Sequence, residues 1–378
     1  MQHVLITGAS RGLGRALALA DRVIIVTHQL VVERRQLPRL RNSNQKPSEI
    51  SQICQPSCKF GLCPVVAATS TTLLGFISFC KTAKLSSTVP PMRFLPCLDS
   101  PALAASRRRE LDISREPATL LGQSAVAAAT AGVYENFAGV EVDFRAAVQA
   151  ACAAKVSIPP DAPLPARAAA AFSVTEIQVA NETTLGAAHR LVAEGRRPLA
   201  LNFANGVTPG GGFLRGARAQ EETLCRSSAL YVTLDGDPMY LAHRRRSDHE
   251  SSAWSILSPA GPVFRDDAGH PLDEPYLLDF ITCAAPVAQR VGQPRSADFL
   301  RERIHRVLAV ARAYGYATLI LGAWGCGAFG NDPERTAADF REALEGEFRC
   351  AFSKIVFAIT DWSPERKFLG PFRDTFST

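Results

Sequence analysis

The chain has 378 residues, room for two or three domains of ordinary size. Its 47% hydrophobic and 21% charged residues suit a protein that buries a sizeable core, which excludes a wholly disordered chain. The 42 basic against 36 acidic side chains leave a formal charge of +6, too small an excess to point to nucleic acid but compatible with an anionic substrate.

In chain order, Met1-Gln2-His3-Val4 has no basic segment leading into an apolar one, so no secretory signal is expected. His3-Val4-Leu5-Ile6 followed by Thr7-Gly8-Ala9-Ser10-Arg11-Gly12-Leu13-Gly14 reads as a strand, a glycine-rich turn and a helix start. This opening resembles that of short-chain dehydrogenases. The next strand-like run, Val23-Ile24-Ile25-Val26, arrives after only residues 15–22, too short for the crossover helix of a parallel pair. No tyrosine of the chain has a lysine four positions on, so the catalytic pair of that family is missing. Residues 1–106 are therefore expected to be a poorly ordered extension with a truncated dehydrogenase-like start, since 30–106 show no helix or strand period.

Cys54, Cys58, Cys63, Cys80 and Cys97 crowd this stretch without a histidine or a C-x-x-C spacing, which argues against zinc. Cys152, Cys225, Cys283, Cys326 and Cys350 are scattered singly, as reduced thiols of an intracellular protein would be. The run at 64–80 is apolar but short for a membrane span and holds several Ser and Thr. The basic runs at 107–109 and 244–246 read as solvated faces.

From residue 107 the pattern becomes regular. Residues 111–154 are rich in Ala, with Ala118, Leu121, Ala125 and Ala128 at helical spacing, and a proline-rich stretch at 158–165 closes them off. Residues 107–172 are thus expected to be a helical accessory segment. Val174-Thr175-Glu176-Ile177-Gln178-Val179 alternates as a half-buried strand. Asn181 to Thr184 then offer caps for a helix through Val192, and residues 198–203 form the next strand. Strand, helix and strand in this order predict an α/β sheet over 173–378.

Two glycine-rich loops carry the chemistry. The first follows the strand at 198–203 and contains Asn205, the triplet Gly210-Gly211-Gly212, and then Gln220-Glu221-Glu222 before a helical stretch at 223–231. The second follows Thr318-Leu319-Ile320-Leu321 and runs Gly322-Ala323-Trp324-Gly325-Cys326-Gly327-Ala328-Phe329-Gly330-Asn331, with Asp332 as cap and Pro333 at the first turn of the next helix. Glycine lets the backbone approach a ligand closely, and open α/β sheets bind ligands at the carboxyl ends of their strands. A diphosphate-bearing nucleotide fits such a pair of loops.

Gly210-Gly211-Gly212, seven residues, then Gln220-Glu221-Glu222 resembles the signature of poly(ADP-ribose) glycohydrolases. Gly327-Ala328-Phe329-Gly330 resembles the phosphate loop of the macrodomain fold that they share, and Asn202 to Asn205 and Pro262 to Asp267 are similar to the microbial-type branch. The resemblance covers about residues 107–378, with Cys283-Ala284-Ala285-Pro286-Val287 departing from the expected turn. It implies a macrodomain-like mixed sheet flanked by helices, with the helical segment and the extension ahead of it. It implies hydrolysis of ribose–ribose O-glycosidic bonds of poly(ADP-ribose), with Glu222 as general acid and Glu221 orienting a ribose hydroxyl. By the same resemblance Asn205, Gly210, Gly211, Gly212 and Gln220 contact the riboses, while Gly325, Cys326, Gly327, Ala328, Phe329 and Gly330 wrap the diphosphate, with Phe329 on the distal ribose. Poly(ADP-ribose) or ADP-ribosylated proteins are the implied partners of a monomer in the cytoplasm or nucleus that needs no cofactor or metal, no direct DNA contact and no membrane.

Each feature also has a plainer reading. Glycine loops often only turn tightly, and paired Glu at a helix start often only serves the helix dipole. His189 and His305 fall in helical patterns and His243, His249 and His270 in polar loops, which suits packed or solvated histidines. Trp324 suits the core. A non-catalytic ADP-ribose reader or a mono-ADP-ribosyl hydrolase are the rival functions, and the acid in Gln220-Glu221-Glu222 speaks against the reader.

Overall fold

The computed structural model of the chain describes residues 92–166, 172–246 and 251–377. The dehydrogenase-like start at 3–14, the apolar run at 64–80, Cys54, Cys58, Cys63, Cys80 and His249 lie outside the described residues.

Strand β1 (Arg93–Phe94) leads into helix α1 (Pro101–Leu111), capped by Ser100, and then α2 (Arg115–Ala131), which ends on a left-handed Gly132. A small hairpin, β2 (Val133–Glu135) and β3 (Glu141–Asp143), connects α2 to α3 (Arg145–Ala154), and β4 (Val156–Ile158) follows. Next come β5 (Glu176–Ala180), α4 (Thr184–Ala193) and β6 (Pro198–Ala204). A 3-10 turn at Phe213–Arg215 precedes α5 (Gln220–Ser227), α6 (Leu230–Leu234) and α7 (Pro238–Arg244). The long hairpin β7 (Ser255–Arg265) and β8 (Pro271–Ala284) is followed by α8 (Ala288–Val291) and α9 (Arg295–Ala313). Strand β9 (Thr318–Leu321), α10 (Pro333–Glu345), β10 (Lys354–Ala358) and α11 (Leu369–Thr375) complete the described chain.

The main sheet has the order β1-β5-β10-β9-β6-β8-β7-β4. All pairings from β1 to β8 are parallel, and β8 with β7 and β7 with β4 are antiparallel. This is the mixed, helix-flanked sheet that the loop motifs imply. Its central strands bury both faces with period two. In β10, Ile355 and Phe357 join the cluster formed with α9, α10 and α11, whereas Val356 and Ala358 join the one formed with α4 and α5. Leu199 and Leu201 in β6 and Leu319 and Leu321 in β9 likewise face the first cluster, with Ala200 and Ile320 facing the second.

The predicted strand at 174–179 is found at Glu176–Ala180, and the helix after it takes Thr183 as N-cap, its hydroxyl accepting from Gly186 N at 2.9 Å. Residues 107–172 hold more than helix: they include the β2–β3 hairpin, and β4 joins the edge of the main sheet against β7. The buried stripe of α2 is Ala118, Gly122, Ala125 and Ala129, one position round from the spacing read from the sequence for its middle and end. The reason is steric. A Cβ at Gly122 would lie 2.7 Å from the Phe213 carbonyl oxygen, so the small-residue stripe is what lets α2 approach the turn that carries Phe213. Phe213 is buried there, a contribution of about 1.5–3 kcal/mol for a side chain of its size.

The sequence pattern predicts no strands at the hairpin β7–β8, where Pro259, Pro262 and Pro275 fall within the strands. Pro259 and Pro262 sit next to or within the register shift between Ser258 and Gly261, where a ladder hydrogen bond is already missing.

The sheet also takes up residues ahead of 107. Arg93 N donates to Thr175 O (2.9 Å), Leu95 N to Ile177 O (2.8 Å) and Leu98 N to Val179 O (3.0 Å), while Asn181 N donates back to Leu98 O (2.8 Å). Asp99 accepts from Asn181 Nδ2 at 2.8 Å and pairs with Arg366 at 2.7 Å, joining this edge to the last helix region. Both partners hold the Asp99 carboxyl below its ordinary range against the opposing effect of burial. We therefore propose a domain boundary before residue 92, since a start at residue 107 removes β1, the Ser100 cap and residues 101–106 of α1. A chain of residues 92–378 should match the full chain in thermal unfolding, whereas 107–378 should melt at least roughly 5 °C lower, given several lost backbone hydrogen bonds at about 1 kcal/mol each. Equal melting temperatures for the two truncations would place the boundary at 107 after all.

Candidate active site

Strands β6 and β9 are neighbours and parallel, pairing Pro198 with Thr318, Leu199 with Leu319 and Ala200 with Ile320. Their carboxyl ends therefore lie side by side, and the two glycine loops that follow them emerge at the same end of the sheet.

The first loop is built around Glu221 and Glu222, both buried on the first turn of α5. Position at a helix N-terminus favours a carboxylate, and the main-chain amides of the loop do the rest. Glu221 Oε2 accepts from Asn205 N at 2.7 Å, and its Oε1 faces Asn202 Nδ2 at 3.4 Å. Glu222 Oε1 accepts from Gly212 N at 2.9 Å. Its Oε2 is buried with no hydrogen-bond partner among the described residues. Burial pushes the Glu221 carboxyl well above the usual carboxylate range; the Asn205 amide opposes this, and the charge of Glu222 beside it adds to it. The side chain of Arg226 is also buried, bonded to Ala217 O at 2.7 Å, and brings a positive charge toward Glu222.

The triplet glycines explain how the loop fits. Gly211 has φ +59°, and a Cβ there would fall onto Glu222 Oε1 and lie 2.9 Å from Glu221 Oε2. Only glycine lets the backbone close over both carboxylates. Gly210, also at positive φ, packs on Phe213 and Cys225.

Gln220, expected at the substrate, is spent on the scaffold. Its Nε2 donates to Leu201 O (2.8 Å) and Thr184 Oγ1 (3.1 Å), and its Oε1 accepts from Phe203 N (2.9 Å). It ties the start of α5 to β6 and so sets the depth of the two glutamates. Asn205 is divided: Oδ1 accepts from Val207 N and Thr208 N, both at 2.9 Å, which shapes the turn and leaves Nδ2 without a partner among the described residues.

In the second loop the backbone is partly self-satisfied. Trp324 N, Cys326 N, Gly330 N and Asn331 N donate to Gly322 O, Ala323 O, Gly327 O and Gly325 O. The N–H groups of Gly325, Gly327, Ala328 and Phe329 have no partner among the described residues. Successive free amides of this kind make an anion-binding concavity. A Cβ at Gly327 would meet no protein atom within 4 Å, so the space over this amide is open. Cys326 and Trp324 turn inward instead: burial pushes the Cys326 thiol up to about 12, its Sγ lies 3.5 Å from Thr336 Oγ1, and Trp324 is fully buried as expected. Phe329 is half-buried and packs partly against the core. Asp332 caps α10 through Glu334 N at 2.9 Å, with Pro333 in its first turn, as the sequence predicts.

Sequence reasoning missed three supports. Asn202 is a polar residue in the middle of an apolar strand, bonded to Thr282 Oγ1 at 3.2 Å and facing Glu221, and that interruption of the apolar run was its signal. Asn331 staples the second loop, with Nδ2 donating to Pro286 O (2.8 Å) and Gly325 O (3.1 Å) and Oδ1 accepting from Ser296 (2.7 Å). His243 lies buried on α7 rather than in a polar loop. Among the described residues no group of three or more His, Cys, Asp or Glu is placed to hold a metal ion, and no helix is long and apolar enough to cross a membrane.

Two buried carboxylates on one loop and unpartnered amides on the other, at adjacent parallel strand ends, mark an α/β domain with a ligand site at the carboxyl end of its sheet. Residues 122–266 match the family model of the microbial-type poly(ADP-ribose) glycohydrolase catalytic domain. The crystal structure of poly(ADP-ribose) glycohydrolase from Thermomonospora curvata is 39% identical, with 69% of this chain and 100% of that chain covered and a TM-score of 0.65. The same enzyme bound to the inhibitor ADP-HPD aligns at 38% identity over 69% of this chain and 99% of that one, TM-score 0.63. The enzyme from Deinococcus radiodurans in complex with ADP-ribose is 45% identical over 53% of this chain and 84% of that chain, TM-score 0.51. No curated protein matches the chain. The chain belongs to the microbial-type poly(ADP-ribose) glycohydrolase family.

The loop geometry sets two glycines apart. Gly211→Ala should lower the unfolding free energy by about 1–2 kcal/mol, because the methyl meets both carboxylates at a positive φ, whereas Gly327→Ala should stay within about 0.5 kcal/mol. Urea unfolding measures both, and equal values would mean that the first loop does not close tightly over the glutamates.

Proposed function

We propose that this chain, a glycosidase that hydrolyses poly(ADP-ribose), cleaves the ribose–ribose O-glycosidic bond with Glu222 as general acid. The observation that carries this reading is the asymmetry of Glu222: one oxygen accepts from Gly212 N, and the other is buried and unpartnered. A buried polar atom left open in a folded protein is costly, and a substrate oxygen that takes its proton removes the cost. Glu222 gives the proton to the leaving ribose oxygen, the C–O bond breaks, and the oxocarbenium-like sugar is attacked by water, whose proton returns to the Glu222 carboxylate. Glu221 and the free Nδ2 of Asn205 orient ribose hydroxyls beside the bond, with Gly210, Gly211 and Gly212 close against the sugar. The free amides of Gly325, Gly327, Ala328 and Phe329 receive the diphosphate, Gly330 completes the wrap, and Phe329 lies against the distal ribose.

This division of roles separates binding from turnover. Glu222→Gln keeps shape but has no proton to give, so ADP-ribose affinity should be nearly unchanged while cleavage of poly(ADP-ribose) falls by about 10²-fold to 10⁴-fold, with Glu221→Gln costing less. Release of free ADP-ribose by the variant at the wild-type rate would move the acid elsewhere.

The phosphate loop offers the complementary test. Gly327→Val adds a side chain where the protein itself has room, so the fold should be intact and ADP-ribose affinity should fall at least about tenfold, roughly 1.4 kcal/mol. Unchanged affinity by calorimetry would reduce this loop to a turn.

A further inference from the structure

The end of α7 grips the catalytic loop by two consecutive carbonyls. His243 Nδ1 lies 2.9 Å from Gly206 O, and Arg244 donates from Nη1 to Val207 O at 2.6 Å. The tautomer of His243 follows from its other side. Ser252 N reaches His243 Nε2 at 3.1 Å, and since a main-chain amide can only donate, Nε2 is an acceptor and the proton sits on Nδ1, pointing at Gly206 O. Ser252 Oγ stands 2.8 Å from the same Nε2. The ring is buried, crosses Trp254 edge-on at 6.5 Å, and sits beside Ser251, which Arg303 bonds through Nη1 to Oγ at 2.9 Å. Gly206 fits this niche without slack: a Cβ there would lie 2.9 Å from Ser251 Cβ, 3.3 Å from Ala284 Cβ and 3.5 Å from His243 Nδ1.

What this grip holds matters because of its neighbours in the chain. Asn205 immediately precedes Gly206, its N–H bonds Glu221, and its Oδ1 caps the turn through Val207 N and Thr208 N. We infer that His243, assisted by Arg244, is a positioning residue for the glycosidase reaction, fixing the Asn205–Thr208 turn and through it the Glu221 carboxylate. The inference rests on the assignment of Glu221 and Glu222 to the reaction.

Two near-isosteric variants separate positioning from mere packing. In His243→Asn the amide nitrogen takes the place of Nδ1 and keeps the donor to Gly206 O, whereas in His243→Gln the amide reaches toward Ser252 and the donor to Gly206 is lost. On full-length protein with poly(ADP-ribose), His243→Asn should keep kcat within about threefold of wild type and His243→Gln should lose at least about tenfold, with the two melting temperatures alike. Hydrogen exchange at Asn205, Val207 and Thr208 should quicken in the Gln variant alone. Equal kcat values for the two variants, or losses that merely track melting temperature, would overturn the inference. Should either fail to fold, Arg244→Ala at an exposed side chain carries the test: kcat should fall by more than about threefold and exchange at Val207 and Thr208 should quicken, and a kcat within about threefold of wild type would overturn it. A wild-type protein that cleaves no polymer would instead sink the functional assignment, while the exchange experiment would still report on the grip.

Discussion

Two neighbouring carboxylates buried on one helical turn are the constraint on which the rest of the structure depends. Removing a carboxylate from water costs several kcal/mol, and a second beside it raises the cost through like-charge repulsion. The fold answers with main-chain donors from Asn205 and Gly212, the amide-rich N-terminus of α5, the buried cation of Arg226, and a Glu221 carboxyl whose burial favours its protonated form. The Asn205 and Gly212 donors and the Ala217 carbonyl that holds Arg226 all lie on the loop at 205–219, so the placement of this loop decides how the carboxylates are held.

The helical segment ahead of the sheet belongs to that support. Helix α2 presents Ala118, Gly122, Ala125 and Ala129 to the domain, close enough that a Cβ at Gly122 would lie 2.7 Å from the Phe213 carbonyl oxygen. Arg115 donates to Arg215 O at 2.9 Å and Arg218 to Ile113 O at 2.8 Å, so the outer part of the loop is fastened to the α1–α2 junction. Beneath it, Gln220 fastens the inner part to β6. Glu221 and Glu222 are thereby held through the loop on both sides, and under the proposed roles preorganisation of that kind lets a fixed group act without rearranging.

The two glycine loops use the same residue type for opposite ends. In the first, glycine brings backbone against carboxylates so that amides are consumed by the protein. In the second, Asn331 and the internal turns satisfy part of the backbone and leave the amides of Gly325, Gly327, Ala328 and Phe329 without a partner among the described residues. Their adjacency comes from the parallel pairing of β6 with β9, two strands separated by more than a hundred residues of chain.

Much of this was legible in the sequence, because local rules govern it. The strand at β5, the caps at Thr183 and Asp332, the two glycine loops and the Gln220-Glu221-Glu222 run at a helix start all depend on near neighbours in the chain and are found close to where the residues place them, although β5 is buried on both faces, Gln178 included, rather than half-buried. What only the tertiary structure decided concerns partners far apart. Gln220 reads as a ligand contact until Leu201, Phe203 and Thr184 claim its amide, and His243 reads as a loop histidine until Gly206 and Ser252 surround it. The edge strand at Arg93 carries no signal of its own, since two residues have no period, and it exists because β5 offers an unpaired ladder. Sequence determines which groups are present and how the backbone near them turns; the hydrogen bonds that spend or spare those groups are long-range, and only the packed sheet brings their partners within reach.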